Sequence, residues 1–248
     1  MSVASVGTVR QLWRYPVKSF AGEALEAVEI TTRGVALDRW WSVVRADGKL
    51  GSGKTTRRFR RMPGLLSMQS FIHGRIAHVQ FPDGSTGRVD DPAIAQRVAA
   101  VVGEAVTLSP QRTISHFDDG PIHLLTTGSL AWLRATVPDA RIDARRLRPN
   151  ILVETDGVDR VEESWIGSRI TIGDVRLIVT SRATRCVMVT MLQASLDAAP
   201  EILRALERER TTSALASTQP WSGLGLVHPP ACPREIGELT LDRPAARA

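Results

Sequence analysis

Cysteine is scarce in this 248-residue chain, which has only Cys186 and Cys232. Two thiols build no disulfide framework and no four-thiolate set for an iron–sulfur cluster or structural zinc. Lysine occurs only at 18, 49 and 54, so 29 of the 32 basic residues are arginine. Tyr15 is the single tyrosine and aromatic residues make up 5% of the chain, leaving few platforms for stacked nucleobases. The longest uninterrupted apolar run, Val98 to Val102, falls far short of the ~18–20 residues a membrane span needs. The first ten residues lack a basic segment followed by an apolar stretch, so no secretory signal is expected. These absences point to a soluble, cytoplasmic protein whose partners include neither a membrane nor a nucleic acid.

What is present is ordinary globular material. The chain is 43% hydrophobic and 23% charged, enough apolar side chain for a sizeable core. The formal charge is +6, and the arginines are spread over the chain rather than gathered in one basic stripe. Two readings of that arginine excess stand. One is the codon usage of a GC-rich genome. The other is a site for phosphate or carboxylate, which guanidinium forks match in a bidentate way.

The first ninety residues read as β-structure. Thr8 to Tyr15, Leu25 to Thr32 and Trp40 to Ala46 are rich in β-branched and aromatic residues and bounded by Gly and Pro. Asp47-Gly48 and Asp83-Gly84 are tight-turn dipeptides. Asp91-Pro92 opens a helix through Val102, stopped by Gly103. Thr126 or Thr127 caps a second helix that ends at Pro138. In the second half, Ile151 to Thr155 is a strand, and Arg169 to Thr180 alternates around Gly173-Asp174 as a hairpin. A charged helix starts near Pro200 and a last strand runs from Ile236 to Leu241. The expected fold class is mainly β, of the α+β kind: a β-barrel with a few peripheral helices.

Gly48 to Thr55 formally satisfies the phosphate-loop pattern G-x-x-x-x-G-K-[ST]. That motif needs a helix whose first amides face the phosphate. Here the arginine-crowded Thr56 to Met62 offers no apolar face for such a helix, so a glycine-rich hairpin extension is the reading, with an amide nest for an anion as a milder option. Other segments carry chemistry. Lys18 and Ser19 directly follow a strand, and Asp38-Arg39 starts another; strand ends presenting these groups suit a phosphate monoester. Equally, Asp38 and Arg39 form no more than a surface ion pair. Pro149 pushes Arg148 toward an extended backbone, and Asn150 both donates to and accepts from a heterocycle. Arg182 and Arg185 favour the thiolate of Cys186, a nucleophile and soft metal ligand, against the alternative of an inert buried cysteine. The histidines at 73, 78, 116, 123 and 228 show no metal-ligand spacing and read as structural.

Taken in order, these segments resemble the MOSC family, named for the C-terminal domain of molybdenum cofactor sulfurase. Tyr15-Pro16-Val17-Lys18-Ser19, Gly22, Gly34, Leu37 to Trp41 and Asp47-Gly48 look like its N-terminal β-barrel module. Phe117 to Thr126, Ser129-Leu130, Arg148-Pro149-Asn150, Glu163-Ser164-Trp165, Ile172-Gly173-Asp174 and Arg185-Cys186 look like the MOSC domain proper. The resemblance implies an N-terminal module over residues 1–110 and a MOSC domain over 111–248.

By resemblance to the amidoxime-reducing branch, the implied cofactor is the molybdenum cofactor, Mo-molybdopterin. Lys18, Ser19 and Arg39 would grip its terminal phosphate. Thr126, Ser129, Arg148, Asn150, Thr184 and Arg185 would line the pterin, and Cys186 would be both the metal ligand and the catalytic residue. The implied activity is a molybdenum-dependent oxidoreductase that reduces N-hydroxylated small molecules. The chain lacks the cysteines of a ferredoxin-like module, so electrons are expected from a separate donor protein, a reductase or ferredoxin-like partner. The alternative is a sulfur carrier or cofactor-handling protein with a persulfide on Cys186. After Cys186 the sequence lacks the Asp-Pro pair common in the family.

Overall fold

The computed structural model describes residues 4–193, 195–208, 215–220, 225–227 and 238–242. Cys232 and His228 lie outside the described residues, as does the start of the expected last strand. Its described part, Glu238–Asp242, is extended.

Strands dominate and helices are few, the expected fold class. The larger sheet runs in the order Ile151–Glu154, Ile122–Thr126, Leu215–Pro220, Val175–Arg182, Arg169–Ile172, Glu238–Asp242, Ala4–Arg14, Glu23–Leu25. Ala4–Arg14 pairs a second time, with Ile151–Glu154, so the sheet curls back on itself. At this seam Gly7 has no side chain for a reason: a Cβ there would lie 2.4 Å from the Glu154 carbonyl oxygen. Inward-facing Val9, Leu12, Leu124, Ile151, Val153, Ile170, Leu177, Val179 and Leu239 fill the interior. Alternation on each strand puts them there.

Ile122–Thr126 and Ile151–Glu154 run parallel, which requires a crossover. Helix Thr127–Thr136 and the single turn Ala144–Leu147 supply it. They pack with helix Pro200–Arg208 in a second apolar cluster around Leu130, Leu133, Leu147 and Ile202.

Residues 15–110 build a third core around Phe20, Val43, Met62, Met68, Val79 and Val98. Trp41–Arg45 pairs with Val106–Pro110 and Leu50–Ser52, while Gln69–His73, Ile76–Gln80 and Thr86–Arg88 form a meander. Helix Pro92–Val102 follows its sequence signals: the Asp91 carboxylate accepts the Ala93 N–H at 2.8 Å, and Gly103 ends it at φ 75°. No helix follows Thr55. Phe59–Arg61 instead pairs in parallel with Leu50–Ser52, so the phosphate-loop pattern is here a strand and a turn.

Candidate functional site

The backbone first brings Lys18 and Arg39 together. Lys18 N–H donates to the Trp41 carbonyl (2.8 Å), Trp41 N–H to Pro16 (3.0 Å) and Arg39 N–H to Tyr15 (2.8 Å). These bonds zip residues 15–18 to 39–41. Only four non-glycine residues among those described have positive φ: Ser19, Leu37, Arg39 and Arg148. Three of the four line one cavity. Backbone strain of that kind persists where surrounding contacts impose it, often at functional sites.

That cavity, about 450 Å³, is lined by Lys18, Ser19, Arg39, Arg148, Asn150, Thr184, Arg185 and Cys186, eight of the residues expected from sequence. Thr126 and Ser129 are not among its lining residues. Thr126 caps helix Thr127–Thr136, and both hydroxyls donate to the buried Glu162 carboxylate, at 2.7 and 2.5 Å. Their oxygens are taken up by the helix start and a structural carboxylate. Arg148 is also corrected. It is not extended but left-handed, φ 55° and ψ 48°, because its N–H closes the turn Ala144–Leu147 by bonding Ala144.

Asp38 and Arg39 are no surface pair. Asp38 is buried, ion-paired with Arg39, and accepts the Tyr15 N–H at 2.7 Å. The guanidinium groups of Arg39 (4.5 Å) and Arg148 (4.2 Å) both lie over the Tyr15 ring, a cation–π platform for the two. Burial drives the Tyr15 hydroxyl up to about 12, although both arginines pull it down. Asn150 spends its amide on the protein: Nδ2 donates to Trp13 (3.2 Å), and Oδ1 accepts from His123 N–H (3.1 Å) and Arg39 (3.2 Å). Ser19 donates to the Gly51 carbonyl at 3.1 Å. Arg185 donates to the Leu147 and Ala183 carbonyls.

Five further contributors escaped the sequence reading. Lys54, from the discounted phosphate-loop pattern, lines the cavity and ion-pairs with Asp118 at 3.0 Å. Asp118 also pairs with Lys18. Buried Arg146 donates to the carbonyls of Arg141, Met191 and Asp197, tying the chain after Cys186 to the crossover. Tyr15 is the fourth. His123, read as structural, lines the cavity with Nδ1 on the Arg148 carbonyl (3.1 Å) and Nε2 without a protein partner. Burial first, then Arg185, holds it well below its ordinary value, so it is neutral. With Nδ1 donating, Nε2 is an acceptor. Lys54 stands in the phosphate-loop pattern, and Tyr15, Asp118 and His123 stand in the segments that resemble the MOSC family, but no sequence signal gave any of the five a role in the cavity.

The electrostatics are one-sided. Six basic side chains line the cavity against Asp118 and Asp119. Burial lowers Lys18 to about 8, opposed by Asp118, and lowers Arg148 and Arg185 to about 10. Burial pushes Asp118 up, but Lys18 and Lys54 prevail and hold it at about 2. Such a wall is built for an anion. No three His, Cys, Asp or Glu side chains converge on a metal position among the described residues.

The sequence matches the MOSC N-terminal beta barrel domain over residues 6–112 and the MOSC domain over 111–224. The chain belongs to the MOSC family. Among MOSC relatives, human mitochondrial amidoxime-reducing component 1 is 25% identical over 228 residues, covering 75% of this chain and 66% of that protein. Bovine mitochondrial amidoxime reducing component 2 is 25% identical over 229 residues, covering 75% and 67%. The chain thus spans about two-thirds of the length of these relatives. A crystal structure of the YUAD protein from Bacillus subtilis shares the fold, with TM-score 0.52, 13% identity and 97% of both chains covered. The MOSC assignment places the chain in a family associated with the molybdenum cofactor and oxidoreductase chemistry. No described helix is long and apolar enough to cross a membrane.

Proposed function

We propose that this MOSC protein binds the pterin form of the molybdenum cofactor and reduces N-oxygenated small molecules with electrons from a separate donor protein. One observation carries the reading: a single cavity is lined at once by Lys18, Ser19, Arg39 and Cys186. The cavity chemistry fits the group. Its cations outnumber its carboxylates, as a phosphate tail requires, and the orphaned acceptor at His123 Nε2 suits the N–H edge of a pterin.

In this reading Lys18 and Arg39 hold the phosphate, with the Ser19 oxygen beside them. Arg148, Asn150, Thr184 and Arg185 flank the heterocycle, Asn150 chiefly by fixing Arg39 and His123. Cys186, half-buried on the cavity wall, supplies the protein sulfur ligand. When bound, the cofactor supplies two-electron chemistry, which with two protons turns an N–OH group into N–H and water. The chain's own part is to orient the cofactor, anchor its tail and shield it. Thr126 and Ser129 serve that part only through the helix they cap. The amidoxime-reducing names of the human and bovine relatives support the substrate class.

Metal and pterin analysis of protein made in a host competent for cofactor synthesis tests this. The wild type should carry about one molybdenum per chain, because the cofactor brings one metal. Cys186→Ser should keep its melting temperature and lose the metal; wild-type metal content in that variant rejects the ligand assignment. Replacing Lys18, Ser19 and Arg39 together by Ala should abolish pterin retention. The half-buried thiol at an open wall also suits the sulfur-carrier reading. An extra sulfur on Cys186 in the intact mass of pterin-free protein, purified without reductant, would favour it.

A further inference from the structure

Lys54 has no role in the reading above, yet its surroundings are specific. Its ammonium lies 3.0 Å from Asp118 Oδ2, while the Lys18 ammonium contacts Oδ1 of the same carboxylate. Both ammonium groups also lie over the ring of buried Phe59, Lys54 at 5.2 Å and Lys18 at 4.7 Å from its centroid. One carboxylate therefore bridges two lysines that come from different segments, the strap after Tyr15 and the turn after Ser52. Its loop is held from behind: Arg58 donates to the Ser115 carbonyl at 2.7 Å and to Phe117 at 3.3 Å. The arrangement leaves two ammonium charges on one carboxylate, with the Arg39 guanidinium on the same cavity.

A carboxylate spanning two ammonium groups stands where a phosphate would stand. It offers two oxygens and one charge, whereas a phosphate monoester offers three free oxygens and close to two charges. We infer that Lys54 and Lys18 together form the anion clamp of this cavity, and that the Asp118 carboxylate is a tethered competitor which an incoming phosphate monoester displaces. The inference rests on the reading that the cavity's cationic end takes a phosphate. It adds a second gripping lysine and a built-in competitor. The clamp is charged and closed on itself before the ligand arrives, so apparent affinity equals the intrinsic affinity reduced by the fraction of molecules with Asp118 withdrawn. Each ammonium group retains its contact with the Phe59 ring on withdrawal, a ring that the Arg58 guanidinium also covers at 5.1 Å.

The test uses the full chain from a host that makes no molybdenum cofactor, titrated calorimetrically with inorganic phosphate. Asp118→Asn should bind phosphate roughly tenfold more tightly than the wild type, because the competing charge is gone. Lys54→Met should weaken binding several-fold, Lys54→Arg should restore it, and the double variant Asp118→Asn/Lys54→Met should lose most of the gain. Equal affinity of wild type and Asp118→Asn overturns the competitor. Equal affinity of wild type and Lys54→Met overturns the clamp while leaving the phosphate site standing. Phosphate binding in none of the variants, Asp118→Asn included, overturns the phosphate reading itself. Unchanged melting temperatures, or the arginine rescue, separate these outcomes from misfolding.

Discussion

Glu162 shows how a single buried side chain governs what its neighbours can do. It is fully buried and takes three hydrogen bonds, from the Thr126 N–H, the Thr126 hydroxyl and the Ser129 hydroxyl. Burial outweighs those bonds and raises its carboxyl from 4.5 to about 7. A raised acid favours the folded state while neutral, so its stabilisation is complete below pH 4.5 and lost as pH climbs through 7. The wild type should lose on the order of 3 kcal/mol more stability than Glu162→Gln between pH 4 and pH 8, read by urea unfolding at each pH. A constant difference between the two would refute this. Lys18 behaves in the opposite sense. Its ammonium, lowered to about 8 chiefly by burial, is charged at neutral pH and discharges above that value. Sulfate stays a dianion throughout that range, so its affinity should fall between pH 7 and pH 9.5, and Lys18→Met should flatten the profile.

At the scale of elements, the turn after Leu50–Ser52 packs on the chain that carries Cys186. A Cβ on Gly53 would lie 2.2 Å from Met188 Cγ and 3.1 Å from Met191 Sδ. Met188 is itself buried in the turn Val187–Thr190. Gly53 is thus there for close approach, and it sits next to Lys54. Gly53→Val should cost about 1–3 kcal/mol by overpacking and change the rate at which a thiol reagent labels Cys186. Full stability with an unchanged labelling rate would show that the two segments move independently. The Gly-rich motif satisfies the phosphate-loop pattern without being one, because the pattern specifies loop chemistry and not the following element, and the arginine-crowded stretch after Thr55 already argued against a helix. Here the chain continues as strand Phe59–Arg61. Caps were another matter. Asp91, Pro92 and Gly103 act on residues within one helix, so their signals are complete in the sequence.

Across the whole molecule, the cavity exists because separate parts of the chain meet there. Lys18, Ser19, Arg39 and Lys54 come from the part matched by the N-terminal beta barrel domain, while Asp118, His123, Arg148, Asn150, Arg185 and Cys186 come from the part matched by the MOSC domain. Strand Ala4–Arg14 joins the two parts by pairing with Ile151–Glu154 and Glu238–Asp242. Asn150 fastens the junction at Trp13, His123 and Arg39. Asn150→Ala should therefore lower stability by roughly 2–4 kcal/mol, leaving several buried partners unpaired, and should loosen phosphate binding through Arg39. Retained stability in thermal unfolding would argue against this role.

The sequence by itself determined the β-rich class, the ends of helix Pro92–Val102, the family resemblance and the choice of Lys18, Ser19, Arg39, Arg148, Asn150, Thr184, Arg185 and Cys186, which all line one cavity. Those features depend on periodicity, local capping and ordered motifs, all carried along the chain. Only the tertiary structure decided that Thr126 and Ser129 turn to Glu162, that Lys54 joins Lys18 on Asp118, and that His123, on the cavity wall, keeps a buried Nε2 without a protein partner. Each of these depends on a partner far away in sequence: Glu162 lies 36 positions from Thr126, and Asp118 lies 100 from Lys18. Side-chain direction and burial are set by such contacts, and a motif cannot encode them until the chain has folded back on itself.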